Sequence, residues 1–449
     1  MTQLPLVPHP LADVPFALLA DRTISRQQFL SHVMSFSDAL PNHGVLMNLC
    51  GDRYSFLVSL FAATRKGLLS VLPNSLAPEH LKAIVEQYPD IVVVRTDENP
   101  LPSQASVSVD IDALSSDWVG DSPLIPFDQT IACLFTSGST GVPTVHFKQF
   151  GRLVYSMEGS AERLWAAAGG VCSVVGTAPF RHMYGFESSA LLSVFGGGVL
   201  VDEMPFFPAD IAACLAKMPA PRLLVTTPYH LRNLLESGTA LPEVALILSA
   251  TAPLSLELAE AVEARFQVPV WEIYGSTETG QIATRRATEN ALWTCLPHIR
   301  VLQNDEDTWA EGLLIERPQV INDVVELVGE DKFRFIDRKG NLVSVAGKRS
   351  SLSFLNTILL RVDGVKDGVF FVPPKKEHDE IERLAAFVVL APNANKADVL
   401  MGLRQYIDPV FLPRPFIVVD DIPRDVNGKV LAKSLQAMIT THFAGARHE

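Results

Sequence analysis

The sequence predicts an α/β protein, with a large N-terminal domain of parallel or mixed sheets carrying helices on both faces and a small, mobile α+β domain after it. Three observations predict this. Short apolar runs alternate with amphipathic helical patterns through roughly the first 300 residues, as in parallel sheets covered by helices. Beyond that point the pattern changes to short strands and Gly-punctuated turns. A chain of 449 residues also exceeds what one core organises.

The elements follow in order. GVLMNLC (44–50) reads as a strand, FLVSLFAATRKG (56–67) as a helix, LLSVLPN (68–74) as a strand, HLKAIVEQY (80–88) as a helix and DIVVVRT (90–96) as a strand. RLLVTT (222–227) precedes the helix HLRNLLESG (230–238), and ALILSA (245–250) precedes SLELAEAVEARF (255–266) and the strand PVWEIYG (269–275). Ligands in such sheets bind in the loops beyond the carboxyl ends of the strands. KFRFIDRKGNLVSVAGKR (332–349) reads as antiparallel strands and turns, and SLSFLNTILLRV, GVFFV, LAAFVVLA, ADVLMGLRQYI and FIVVDDIP make a compact α+β segment. A boundary near Asp337–Gly340, with Lys339-Gly340-Asn341 as the turn, separates residues 1–337 from 338–449.

Composition narrows the function. Hydrophobic residues at 48% and charged residues at 19% are globular values. No run reaches the eighteen or so apolar residues of a membrane helix, and the start lacks the basic region of a signal peptide. Cys50, Cys133, Cys172, Cys214 and Cys295 are scattered, with no CxxC pair. They read as reduced thiols of a cytoplasmic protein, not as a disulfide framework or a zinc site. The net charge of −13 argues against nucleic acid as a partner. From Arg338 onward there are 16 Lys+Arg and 12 Asp+Glu, against 37 and 50 in the whole chain, so the tail is near +4 and the remainder near −17. That asymmetry fits two domains with different partners, and equally a solvated surface.

Four segments carry candidate chemistry. Thr136-Ser137-Gly138-Ser139-Thr140-Gly141 follows the apolar run IACLF, and its amides and hydroxyls are able to surround phosphate oxygens. It lacks the GxxxxGK[ST] spacing of a Walker loop, and as a plain strand-ending turn it would look the same. Tyr274-Gly275-Ser276-Thr277-Glu278 offers an aromatic face for a base and a carboxylate for a hard cation such as Mg²⁺. Asp323 suits the two hydroxyls of a ribose and Arg338 its phosphate, although such a pair is also ordinary solvated surface. Lys429, beyond Asn427-Gly428, is a point charge suited to a developing phosphorane; the alternative is a solvated lysine on an exposed hairpin.

In this order the segments resemble the adenylate-forming superfamily of acyl- and aryl-CoA synthetases, luciferases and peptide-synthetase adenylation domains, from about Arg22 to Lys433. The resemblance implies ATP and Mg²⁺ as cofactors. It makes Thr136–Gly141 the phosphate loop, Tyr274–Thr277 with Thr251 and Ala252 the adenine site, Asp323 the ribose ligand and Arg338 the arginine before a hinge at Gly340. Thr140 and Glu278 become the metal ligands, Lys429 the adenylation lysine, and Gly347-Lys348-Arg349 the turn used in thioester formation. His182 would border the carboxylate of the substrate, in an acyl pocket shared with Tyr184, Gly185, Phe186, Tyr229 and Thr251.

Three departures stand out. The family's lysine after the phosphate-loop proline is Thr144 here, and Lys148 either supplies that charge or is a surface residue. The hinge position, usually Asp or Lys, is Gly340, which is torsionally permissive. The chain is short for the family, which implies a trimmed N-terminal region. The strings VSVAGKRSSL and His-Met-Tyr-Gly look most like acyl-carrier-protein ligases of aryl-polyene and xanthomonadin-type pigment synthesis. That branch implies a hydroxybenzoate-like acid loaded onto the phosphopantetheine thiol of an acyl carrier protein, with basic residues such as Lys375 and Lys376 receiving it. Coenzyme A is the competing acceptor, and a non-catalytic scaffold that binds nucleotide or carrier is the reading from another class.

Overall fold

The apolar strands of the first third pair into one six-stranded sheet: β1 (Val45–Asn48), β2 (Leu69–Leu72), β3 (Val92–Arg95), β4 (Ser106–Ser108), β5 (Thr130–Thr136) and β6 (Thr144–Gln149), in the order β6-β5-β2-β1-β3-β4. All neighbours run parallel except β5 and β6, which are antiparallel with Thr136 opposite Thr144. The structure, a computed structural model, describes residues 2–9, 11, 14–97, 101–136, 144–304, 307–339, 342–345, 348–373, 383–424, 430 and 432–444, with 136, 338, 342, 344, 349, 353, 432, 433 and 444 described by backbone alone.

Helices follow the strands as the alternation predicts. α1 (Arg53–Arg65) starts at Asp52, whose carboxylate accepts the Ser55 N–H at 2.7 Å, a side-chain cap for an otherwise orphan donor. α2 (Pro78–Gln87) begins with proline, which lacks the N–H that a first turn leaves unpaired. α3 (Phe150–Ala168) ends at Gly169 with φ of 75°, in the left-handed region.

A second sheet takes β7 (Ser173–Gly176), β8 (Val199–Val201), β9 (Arg222–Thr226), β10 (Leu246–Ser249), β11 (Val270–Ser276), β12 (Gly280–Arg285) and β13 (Leu292–Cys295), ordered β13-β12-β11-β10-β9-β7-β8 and continued by the N-terminal strands Pro15–Leu18 and Thr23–Ser25. β7 to β11 are mutually parallel; β11, β12 and β13 are antiparallel. α4 (Pro208–Lys217), α5 (Pro228–Ser237) and α6 (Leu256–Phe266) cover its outer face.

One buried cluster joins the two sheets. Leu46 and Leu134 of the first meet Val174, Leu223 and Leu248 of the second through Phe29, Phe56, Phe61, Phe150, Phe186 and Phe195. Each buried phenylalanine contributes roughly 2–3 kcal/mol. The opposite face of the first sheet packs Met47, Val71, Val93 and Phe135 on Leu81 and Ile84 of α2. Strands buried on both faces explain why these runs carry no polar alternation.

The chain forms two compact units, one of Met1–Leu302, Trp309–Gln319 and Gly329–Lys332, the other of Gln303–Thr308, Val320–Val328 and Phe333–Glu449. In the second, β14 (Asp323–Leu327) and β15 (Lys332–Arg338) form an antiparallel hairpin, as do β16 (Leu342–Val345) and β17 (Lys348–Ser351). α7 (Leu352–Arg361) is capped by Ser351, whose hydroxyl accepts the Phe354 N–H. β18 (Val365–Phe371), β19 (Ala385–Leu390) and β20 (Phe416–Val418) make a three-stranded sheet. Leu355 and Leu359 of α7, with Leu403 of α8 (Lys396–Leu403), pack one face; α9 (Ala432–Ala444) covers the other with Ile439. The α/β class with a smaller α+β part is as the sequence predicts.

Candidate active site

Two of the predicted nucleotide segments belong to strand pairs of the first unit. β5 delivers the backbone of Thr136, and β6 begins at exposed Thr144; Ser137, Gly138, Ser139, Thr140 and Gly141 fall outside the described residues. Side chains two apart on a strand share a face, and on β6 that face carries His146 and Lys148. β11 runs one residue beyond the predicted strand, so Ser276 joins Tyr274 and Gly275 as a strand residue and Thr277-Glu278-Thr279 form the turn into β12. Gly275 is required there: a β-carbon would stand 2.2 Å from the Gly280 carbonyl oxygen. The Ser276 N–H donates to the Thr279 hydroxyl at 3.1 Å and the Thr279 N–H to the Ser276 hydroxyl at 3.2 Å, which closes the turn and leaves Glu278 41% exposed.

Glu278 Oε1 lies 3.6 Å from His146 Nε2. Partial burial pushes its carboxyl up, but the Ser276 hydroxyl, a backbone N–H, His146 and Lys148 outweigh that and hold it below the ordinary carboxylate range. Burial depresses His146, against the pull of Glu278. Lys148, 8% exposed, donates through Nζ to the carbonyl oxygens of Thr277 and Glu278. It is therefore no surface lysine. Burial lowers its pKa, partly offset by Glu187 and Glu278. Glu187, 2% exposed in the π-helical turn Phe186–Leu191, is pushed up to about 7 by burial, against Lys148 and the Gln281 N–H. A cavity of about 220 Å³ opens over His146, Lys148, Glu187 and Glu278, with Arg152 and Arg317 in its wall.

A second set braces the aromatic residue. Tyr274 packs on Trp293 with ring centroids 5.4 Å apart, and the Arg285 guanidinium lies 4.4 Å over the Trp293 ring. Arg285 donates to Glu272 at 2.6 Å, and Glu272 accepts the Leu254 N–H at 3.3 Å. This ties Tyr274 to the stretch after β10. In that stretch Thr251 has φ of 79°, an outlier for a β-branched residue and a mark of stored strain, with half-buried Ala252 beside it.

The predicted acyl-pocket residues separate into two groups. His182 is half-buried and lines a cavity of about 100 Å³ with Arg181, Phe180, Asn74 and Met204. Tyr184 is buried, and its hydroxyl donates to the carbonyls of Thr226 at 3.0 Å and Leu248 at 2.7 Å, pinning the ends of β9 and β10. Gly185 packs where a β-carbon would stand 2.2 Å from the Pro179 carbonyl oxygen, and Phe186 is fully buried against Phe56. Tyr229 heads α5, half-buried beside Phe206 and His230.

In the second unit, Asp323 and Arg338 are partners across β14 and β15, so their spacing of 15 in sequence becomes direct opposition. Lys348 pairs with Asp408, the residue that caps Pro409–Phe411. Gly340, Gly347 and Lys429 lie outside the described residues, as do the side chains of Arg338 and Arg349. Arg424, ion-paired to Asp367 at 2.6 Å, and Val430 pair antiparallel on either side of Lys429 in sequence.

Sequence reasoning missed Glu187, His146 and Arg285. The first two left a signal: Glu187 is the one charged residue of Met183–Phe195, and His146 stands at the strand period from Lys148.

Two helix-covered sheets, with a carboxylate-bearing hairpin beside their strand ends, define a layered α/β fold. A model of the AMP-binding enzyme family matches residues 12–306, and the chain belongs to that family. It is 24% identical over 299 residues to the 4-coumarate–CoA ligase of Cereibacter sphaeroides, covering 66% of this chain and 69% of that one. To a linear gramicidin synthase polypeptide of Brevibacillus parabrevis it is 23% identical, over 87% of this chain and 9% of that protein. The chain thus spans a small part of one curated relative and about two thirds of the other. Among solved structures, the AMP complex of the o-succinylbenzoate coenzyme A synthetase of Bacillus subtilis superposes with a TM-score of 0.79 at 18% identity, over 97% of this chain and 98% of that one. The anthranilate CoA ligase AuaEII with anthranoyl-AMP gives 0.79 at 13%, over 96% and 95%. These likenesses are of fold.

Proposed function

We propose that the chain activates a carboxylic acid with ATP and passes the acyl group to a thiol. A carboxylate oxygen attacks the α-phosphorus, the bond to the β-phosphate breaks, and pyrophosphate leaves; the thiolate sulfur then attacks the acyl carbon and AMP departs. The observation that carries this reading is the Glu278 turn in a member of the AMP-binding family, an ionised, half-exposed carboxylate 3.6 Å from His146 on β6, the strand that follows the hydroxyl-rich segment in sequence. Such a carboxylate fits Mg²⁺, which takes few protein ligands and otherwise uses water and phosphate oxygens. Bound there with ATP, the cation would neutralise phosphate charge. Thr140 is the second proposed ligand, Asp323 and Arg338 hold the ribose and phosphate, and Tyr274 with Thr251 and Ala252 faces the base.

Lys429 is the proposed adenylation lysine, because one ammonium is able to neutralise the attacking carboxylate and the α-phosphate together. The acid is proposed to be aromatic, in a pocket bordered by His182, Tyr229 and Thr251, with buried Tyr184, Gly185 and Phe186 packed behind it as support, and the acceptor to be an acyl carrier protein in a cytoplasmic setting. Relatives named as CoA ligases favour a second reading, release to coenzyme A. Acid-dependent ATP–pyrophosphate exchange over a panel of aromatic and fatty acids tests the activity. Lys429→Ala is expected to lower it by about a hundredfold, the usual loss of a key electrostatic donor. Exchange within a few-fold of the parent rejects that role, and coenzyme A acylated at a kcat/KM equal to that of a carrier rejects the carrier.

A further inference from the structure

We propose that Lys148 and Glu187 act as one positioning pair, gripping both ends of the Thr277–Gln281 turn so that the Glu278 carboxylate keeps its place relative to the strand leaving the hydroxyl-rich loop. The inference rests on the adenylating reading above and adds two residues to it.

The contacts are specific. Lys148 reaches up from β6 and donates to the carbonyl oxygens of Thr277 and Glu278, the first half of the turn. Glu187 comes from the π-helical turn and accepts the Gln281 N–H at 3.1 Å, just past the second half. A β-carbon at Gly280 would stand 2.8 Å from Glu187 Oε1, so the carboxylate lies flush on the hairpin backbone. The Gln281 amide is held in turn, with Ser160 Oγ 3.0 Å from its oxygen and Ser188 Oγ 2.9 Å from its nitrogen.

Neither charge belongs in a core alone, because an unpaired buried ion is strongly unfavourable. Here the two opposite charges attract each other through space, and their hydrogen bonds go to backbone groups of one turn. A turn joining two antiparallel strands is otherwise free to shift at its tip, and displacement of a ligand by about 1 Å is enough to lower a rate a hundredfold. β6 begins directly after the loop, so the same lysine ties the loop's exit strand to the Glu278 turn. At Thr144 a lysine would instead stand on the exposed start of β6. The shift of four residues moves the cation from the loop to the floor beneath the turn.

The test compares Lys148→Met, Lys148→Arg, Glu187→Gln and the double variant Lys148→Met/Glu187→Gln with the parent chain. Calorimetry reads the dissociation constants of magnesium–ATP and of AMP without magnesium, and thermal unfolding checks the fold. Each of Lys148→Met and Glu187→Gln is expected to weaken magnesium–ATP by about tenfold while AMP shifts less than about threefold, since Glu278 serves the metal-bound phosphates. Lys148→Arg restores most of the loss, and the double variant is no weaker than the worse single, as expected of residues acting as a unit. Equal loss for both nucleotides, multiplicative effects in the double variant, or unchanged magnesium–ATP binding overturns the pair. Should Lys148→Met fail to fold, Glu187→Gln and Lys148→Arg decide by the same two constants. A parent chain that binds magnesium–ATP but exchanges no pyrophosphate with any acid refutes the adenylating reading alone; one that binds no magnesium–ATP overturns both.

Discussion

His230 stands at the head of α5 with Nδ1 2.9 Å from the Thr227 hydroxyl and 3.4 Å from that of Thr177, and its Nε2 is buried without a partner among the described residues. Burial lowers its pKa from 6.5 to about 4. The unfolded chain therefore takes up a proton near pH 6.5 that the folded chain refuses until near pH 4, so this residue makes stability fall as pH drops through that window. His230→Gln is expected to reduce the stability difference between pH 7.5 and pH 5 by about 2 kcal/mol, read from urea unfolding at the two pH values. An unchanged difference would place the acid sensitivity elsewhere. Lys148 and Thr251 carry the same lesson at residue scale. Both letters were visible at suggestive positions, but a lysine's burial and a threonine's φ of 79° follow from neighbours distant in sequence.

At the scale of elements, the β11–β12 hairpin is the device that presents Glu278. Its strands approach so closely at Gly275 that no side chain fits against the Gly280 carbonyl. Gly275→Ala is expected to cost about 1–3 kcal/mol of stability by overpacking and to lower pyrophosphate exchange at least tenfold by moving the turn. A thermal scan and the exchange assay check it; full activity in a stable variant would show that the turn tolerates the displacement. Much at this scale was legible. The alternation of apolar runs and amphipathic stretches located β1 to β3, α1, α2, α5 and α6, because strands buried on both faces and half-buried helices impose different periods. The antiparallel pairing of β6 with β5 was not legible, since a strand's direction depends on its partner and not on its own letters.

At the scale of the whole molecule, a hinge at Gly340 is proposed to let the part carrying Lys429 serve adenylation and the Gly347–Arg349 turn serve thiolation. Proline fixes φ near −65° and restricts such a rotation. Gly340→Pro is expected to leave pyrophosphate exchange within a few-fold of the parent while slowing thiol transfer from supplied acyl-adenylate about tenfold or more; equal losses in both half-reactions reject the hinge. The sequence by itself determined the α/β class, the order of the candidate segments and the spacing of Asp323 and Arg338, because hydrophobic period, turn chemistry and motif order are local properties; that the two stand opposite each other was decided by strand pairing. Only the tertiary structure decided that Lys148 is buried under the Glu278 turn while Glu187 holds its far end, and that Tyr184 and Phe186 are core residues. A charge in a core is stable only where chain segments far apart in sequence bring compensating groups to it, and that meeting is a property of packing.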